Sequence, residues 1–137
     1  MTKKYKYFST MADMGMEVEG ENLTQLFSNA AQGMFNLIAS SHKFTPKEEF
    51  EIEITGENWE ELLFKWLGEL LFYYDAYKIF LVEFQVKEIT PYKLRASVRG
   101  EKIKNKKVER EIKAVTYHNL EITQKNNSWK VKVLFDL

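Results

Sequence analysis

The chain has 137 residues, 45% of them apolar and 15% aromatic, and its 20 basic and 20 acidic side chains cancel. That length suits a single domain whose core needs no staples, and the aromatic content argues against disorder. The absence of cysteine excludes disulfides, thiolate zinc sites and a Cys nucleophile, and the zero net charge gives no global case for nucleic acid.

Lys4 to Phe8 reads as a short aromatic strand, followed by a break at Ser9–Asp13. Met14, Met16 and Val18 alternate with Gly15, Glu17 and Glu19, which predicts a half-buried second strand. Gly20-Glu21-Asn22 ends it, and Asn22 is a good helix N-cap. From Leu23 the apolar positions Leu26, Phe27, Ala30, Ala31, Met34, Phe35 and Ile38 follow the spacing of an amphipathic helix. A loop over 40–47 contains His42 and Pro46. Phe50, Ile52 and Ile54 then alternate with Glu49, Glu51 and Glu53 on a strand with one acidic face. Asn58 caps a second helix, with Glu61 placed to complete a capping box. Its stripe is Trp59, Leu62, Leu63, Trp66, Leu67, Leu70 and Leu71, with Tyr73, Tyr74 and Tyr77 at its edge.

Strand, Gly-Glu-Asn, helix thus occurs at 14–38 and again at 50–74. Two copies are too few for a solenoid, and duplication and local convergence both explain them. The remainder reads as β. Phe80, Val82, Phe84 and Val86 share one strand face, and Thr90-Pro91-Tyr92 makes a turn. Leu94, Ala96 and Val98 point inward on the next strand, while Lys93, Arg95, Ser97 and Arg99 point out. A lysine-rich loop is expected over 100–107 and one or two strands over 110–124. Lys125-Asn126-Asn127-Ser128 predicts a hairpin turn before a last strand carrying Trp129, Val131, Val133 and Phe135 on one face. The expected fold is α+β: a single domain over 1–137, with two amphipathic helices on a largely antiparallel sheet system able to curl.

No apolar leader follows Met1-Thr2-Lys3-Lys4, and the most apolar window, 59–86, is broken by Glu60, Glu61, Lys65, Glu69, Asp75 and Lys78. A cytoplasmic location without membrane contact is the expectation. Charge is uneven: 48–61 is acid-rich, and 93–113 carries Lys93, Arg95, Arg99, Lys102, Lys104, Lys106, Lys107, Arg110 and Lys113. Two solvated faces, or electrostatic docking of a partner, both explain this.

Catalysis has no strong signal. His42 and His118 form no zinc motif, and there is neither a Gly-x-Ser-x-Gly elbow nor a phosphate-binding glycine loop. Two carboxylates are unusually placed. Asp13 sits in the break between the first strands, and Asp136 ends an apolar strand one residue before the carboxylate of Leu137. Such oxygen ligands suit Ca²⁺, Mg²⁺ or Mn²⁺. An Asx-turn for Asp13 and simple solvation for Asp136 are the plainer alternatives. Lys113, before Ala114-Val115, is either an outward strand residue or a partner for a carboxylate or phosphate.

Taken together, these segments resemble the archease family over the whole chain. Thr10-Met11-Ala12-Asp13-Met14-Gly15 is similar to the family's His-Thr-Ala-Asp-Ile-Gly signature. The helices at 23–35 and 66–71 are similar too, and Ile112-Lys113-Ala114-Val115-Thr116-Tyr117-His118 is the most specific segment, with Phe135-Asp136-Leu137 at the end. The resemblance implies a non-catalytic activator of the tRNA-splicing RNA ligase, which joins 2′,3′-cyclic-phosphate or 3′-phosphate ends to 5′-hydroxyl ends using Mn²⁺ and GTP. Such a helper promotes guanylylation of the ligase and its repeated turnover. The resemblance also implies a divalent ion, Ca²⁺ before Mg²⁺ or Mn²⁺, at Asp13, Asp136 and Leu137, and an activating role for Lys113, with His118 beside it. The family's first His is Thr10 here, so no role of that His carries over.

Two other classes compete. An RNA-binding module would use the basic 93–113 region, but no aromatic platform interleaves with that face, so only weak RNA binding is expected. A metal-dependent hydrolase at Asp13 and Asp136 would lack an evident general base.

Overall fold

Both Gly-Glu-Asn segments turn a strand into a helix in the same way. In the computed structural model, which describes residues 4–11, 13–104 and 108–137, Asn22 and Asn58 are extended at φ −149° and −158°. Each side-chain oxygen accepts from the N–H three residues on, Gln25 and Glu61, at 2.8 Å. The glycine two residues earlier is needed for closeness. A β-carbon on Gly20 would lie 2.6 Å from the Leu26 nitrogen, and one on Gly56 would lie 3.2 Å from that of Leu62. The repeat is therefore a repeat of packing as well as of letters. The capping boxes differ from expectation. Glu61 pairs with Lys65 at 3.1 Å, whereas in the first helix Gln25 reaches back to accept from the Glu21 N–H at 3.0 Å.

The chain order is β1 (Tyr5–Ser9), β2 (Met14–Gly20), α1 (Leu23–Ile38), a 3₁₀ turn at Ser41–Lys43, β3 (Glu48–Thr55), α2 (Trp59–Tyr77), β4 (Ile79–Ile89), β5 (Lys93–Lys102), β6 (Ala114–Thr116), β7 (Ile122–Lys125) and β8 (Ser128–Asp136). The strands form two antiparallel sheets. One runs β1-β2-β8-β6, with β7 following β6 along the same edge of β8, and the other runs β3-β5-β4. The turn at Asn126-Asn127 has positive φ at both residues, 52° and 62°, as a tight two-residue hairpin requires.

The helices lie against both sheets. Phe35 of α1 packs edge-on to Phe80 of β4 at 5.3 Å, while the opposite side of the helix meets β1 and β2 at Gly33, where a β-carbon would strike the Met16 sulfur. Burial of α1 is accordingly wider than a single stripe and includes Asn29, Gly33 and Leu37. Asn29 satisfies its amide on the Glu19 carbonyl at 2.8 Å. Trp66 of α2 is fully buried, and its indole N–H donates to the Phe27 carbonyl at 3.0 Å, joining the helices. No helix among the described residues is long and apolar enough to cross a membrane.

Two expectations need correction. β5 does not stop at residue 99 but runs to Lys102, because Gly100 lets the β4 backbone approach at Phe80 and because Glu101 is buried, accepting from the Thr45 N–H at 2.9 Å. Of the lysine-rich loop only residues 103 and 104 then remain, and 105–107 lie outside the described residues. The separation of acidic and basic stretches also disappears in three dimensions. β3 pairs with β5, so Arg99 meets Glu49 at 2.9 Å and Lys93 meets Glu53 at 3.2 Å, while Arg95 meets Glu88 of β4 at 3.6 Å. Arg99 bonds to Glu49, and Ser97 beside it adds a second bond, so the Glu49 carboxyl is held below the usual range. The outward face is a neutralised ladder, and Ser97 is buried beneath it.

Candidate functional site

β8 brings the distant segments together. It is flanked by β2 on one edge, through Met14↔Phe135, and by β6 on the other, through Ala114↔Asp136. The ladder ends there. Asp13 lies one residue beyond Met14, and Asp136 one residue beyond Phe135, so both aspartates lie at this end of the ladder. Parity puts Asp136 on the outward face. Met14, Met16 and Val18 pair with the core residues Phe135, Val133 and Val131, whereas Gly15 and Glu17 share the opposite side with Leu134 and Lys132.

Backbone hydrogen bonds hold the three segments. The Lys113 N–H donates to the Asp136 carbonyl at 2.7 Å. The Thr10–Asp13 turn is closed twice: the Thr10 N–H donates to the Asp13 carbonyl at 2.9 Å, and the Asp13 N–H donates to Thr10 Oγ1 at 2.9 Å. Asp13 is half-buried, while Asp136 and Lys113 are exposed and Leu137 is 43% exposed. Met11, at the tip of this turn, is fully exposed. The Thr that stands in place of the family's His therefore supplies the bonds that set the Asp13 backbone.

The structure thus brings Asp13, Asp136, Leu137 and Lys113 to one end of one sheet. It does not bring His118 there. His118 is exposed and lies past the other end of β6, in the turn where the Leu120 N–H donates to the Tyr117 carbonyl at 3.2 Å. At roughly 3.3 Å per strand residue, the length of β6 separates it from Lys113. Tyr117 beside it packs edge-on to Phe64 of α2 at 5.2 Å.

The donor chemistry fits a hard divalent ion, being all carboxylate oxygen. Among the described residues no three His, Asp or Glu side chains cluster around a common point, so side chains offer at most a pair. Two site features escaped sequence reading. Thr116 Oγ1 is buried without a hydrogen-bond partner among the described residues, at the position facing Leu134 on the outward side. Phe8 folds across Gly15, where any β-carbon would meet its ring, and Lys132 Nζ stands 6.0 Å from the ring centre. The period-2 parity of 8, 15 and 134 signals that contact once the strand pairing is known.

Comparison with known proteins gives a consistent result. The model of the archease protein family (MTH1598/TM1083) matches residues 5–137. Protein archease of Methanosarcina mazei is 37% identical, covering 98% of this chain and 97% of the relative. That of Sulfurisphaera tokodaii is 35% identical, with 98% and 99% covered. The solution structure of Methanobacterium thermoautotrophicum protein 1598 superposes with a TM-score of 0.86 at 34% identity, covering 99% of this chain and all of that one. The crystal structure of an archease from Thermotoga maritima has the same fold, with a TM-score of 0.68 at 23% identity over 96% of each chain.

Proposed function

The chain belongs to the archease family, and on that premise we propose that it is a non-catalytic activator of the tRNA-splicing RNA ligase that joins 2′,3′-cyclic-phosphate or 3′-phosphate ends to 5′-hydroxyl ends. It promotes guanylylation of that Mn²⁺- and GTP-dependent partner and sustains its turnover. The observation that carries the reading is the convergence, through β8, of Asp13, Lys113 and Asp136 from three remote segments onto one exposed sheet end. An exposed end suits contact with a partner better than turnover of a bound small molecule, for which an enclosing pocket is usual.

Each residue has a physical part. Lys113 is an exposed point charge able to neutralise a phosphate oxygen that the partner presents. Its backbone bond to Asp136 keeps this residue beside the C-terminal end of β8. Asp13 and Asp136, with Leu137 beside them, would hold a Ca²⁺, Mg²⁺ or Mn²⁺ ion, which supplies charge neutralisation at the carboxylates and order to the strand ends. With only a side-chain pair available, water and backbone oxygen complete the ligand set, which both Mg²⁺ and Ca²⁺ accept. The Thr10–Asp13 turn presents Met11 next to this charged group as an apolar contact for the partner.

The test is a multiple-turnover ligation assay with purified ligase. Substoichiometric amounts of this protein should raise turnover, and the protein alone should join no RNA. Ligation without the ligase refutes the reading.

A further inference from the structure

A second face of the molecule sets lysines beside exposed aromatic rings, and neither segment announced it alone. Residues at the end of α2 and just after it meet the end of β5 and the 108–111 segment around a groove of about 690 Å³. Lys78, Lys102 and Lys104 line it beside Tyr77. Among the described residues no ion pair takes up Lys78, Lys102 or Lys104, in contrast to Lys93, Arg95 and Arg99 on the outward ladder.

The aromatic side is pre-set. Tyr77 and Phe72 are 51% and 50% exposed and meet edge-on at 5.6 Å. Behind them Tyr73 touches Tyr77 at 5.4 Å and Phe50 at 5.2 Å, so the row is anchored to β3. The acid in the groove, Glu111, accepts from the Tyr74 hydroxyl at 3.1 Å. Asp75 flanks Lys78, and burial raises its pKa above the ordinary carboxyl value.

We propose that this groove binds a single-stranded polynucleotide, with Tyr77 and Phe72 stacking on unpaired bases and Lys78, Lys102 and Lys104 on the phosphates. Ring faces recognise bases only when these are unstacked, so duplex is a poor ligand. Few cations take part, so binding is weak and salt-dependent. That the strand is RNA rests on the ligase reading above. The groove is linked to the carboxylate end through three residues: Glu111 lines the groove, Ile112 is buried, and Lys113 bonds to Asp136. A strand held here would run toward that end.

The experiment is fluorescence anisotropy of the purified protein with a labelled 12-nucleotide oligo(U) and with a duplex RNA of the same length at low salt. The single strand should bind at least five-fold tighter than the duplex. The slope of log K against log salt should be about −2, from three lysines. Tyr77→Ala should weaken binding about tenfold, and Lys102→Glu with Lys104→Glu should abolish it, with circular dichroism unchanged. Lys93→Glu with Arg95→Glu should change it less than two-fold. Asp13→Asn should leave it intact, so failure of the ligase reading and failure of the groove appear in different assays. No single-strand binding, or binding indifferent to Tyr77, Lys102 and Lys104, overturns the proposal. Loss of ligase capture by the groove variants with RNA binding unchanged overturns it in favour of a protein interface.

Discussion

The Lys113 N–H donates to the Asp136 carbonyl at 2.7 Å, so a cation and a carboxylate 23 positions apart in sequence are locked onto neighbouring strands. Asp13 reaches the same place from the other side of β8. Three charges thus share one sheet end.

Removing a charge at that end should cost activation and not folding, because the charges are at least partly solvent-facing and the core lies on the opposite face. Asp13→Asn, Asp136→Asn and Lys113→Ala should each lower ligase turnover by at least tenfold, with thermal midpoints within about 2 °C of the unchanged protein, as expected of surface changes within about 0.5 kcal/mol. Full activation by the double aspartate variant ends the proposal. His118→Ala, at the other end of β6, should have the smaller effect.

Divalent ions should stabilise the fold if the aspartates share one. At about ten times its Kd, an ion that binds only the native state adds about 1.4 kcal/mol. For a domain of this size that raises Tm by about 4–6 °C. Calorimetric melts with Ca²⁺, Mg²⁺ and Mn²⁺, each against EDTA, measure the shift. An equal shift in the Asp13→Asn, Asp136→Asn variant locates the ion elsewhere.

The glycines separate close packing from chance. A β-carbon at Gly100 would collide with the Phe80 carbonyl across the β4–β5 ladder, whereas one at Gly68 on α2 meets nothing within 4 Å. Gly100→Ala should therefore destabilise by about 1–3 kcal/mol in urea unfolding. Gly68→Ala should stabilise by about 0.5–1 kcal/mol, the helix-propensity difference.

Two carboxylates at least partly exposed should shape the acid limb of stability. Lys6 bonds to Glu17, with Lys132 adding to it, and Arg99 bonds to Glu49; both carboxyls are held below their ordinary value of 4.5. A depressed folded-state pKa contributes stability that is present above pH 4.5 and is lost as pH falls through the lower folded value. Glu17→Gln and Glu49→Gln should each flatten the acid limb of a Tm-versus-pH curve. Exposed pairs are screened, so the difference should vanish in 1 M salt.

Local structure in this chain was legible because it is locally determined. The apolar spacing from Leu23 and from Trp59, with Asn22 and Asn58 ahead of them, sets both helices, and Asn126-Asn127 sets the last hairpin. The archease signature likewise singled out Asp13, Lys113 and Asp136, since a motif survives as a string. Pairing between strands was not legible, because it depends on residues far apart. Only the fold decided that the basic strand would lie against the acidic one and be neutralised, that β8 would run between β2 and β6, and that His118 would fall at the far end. It also decided that Tyr77 would line one groove with Lys102 and Lys104. Cross-strand register depends on which surfaces the two sheets bury together, and no single segment carries that information.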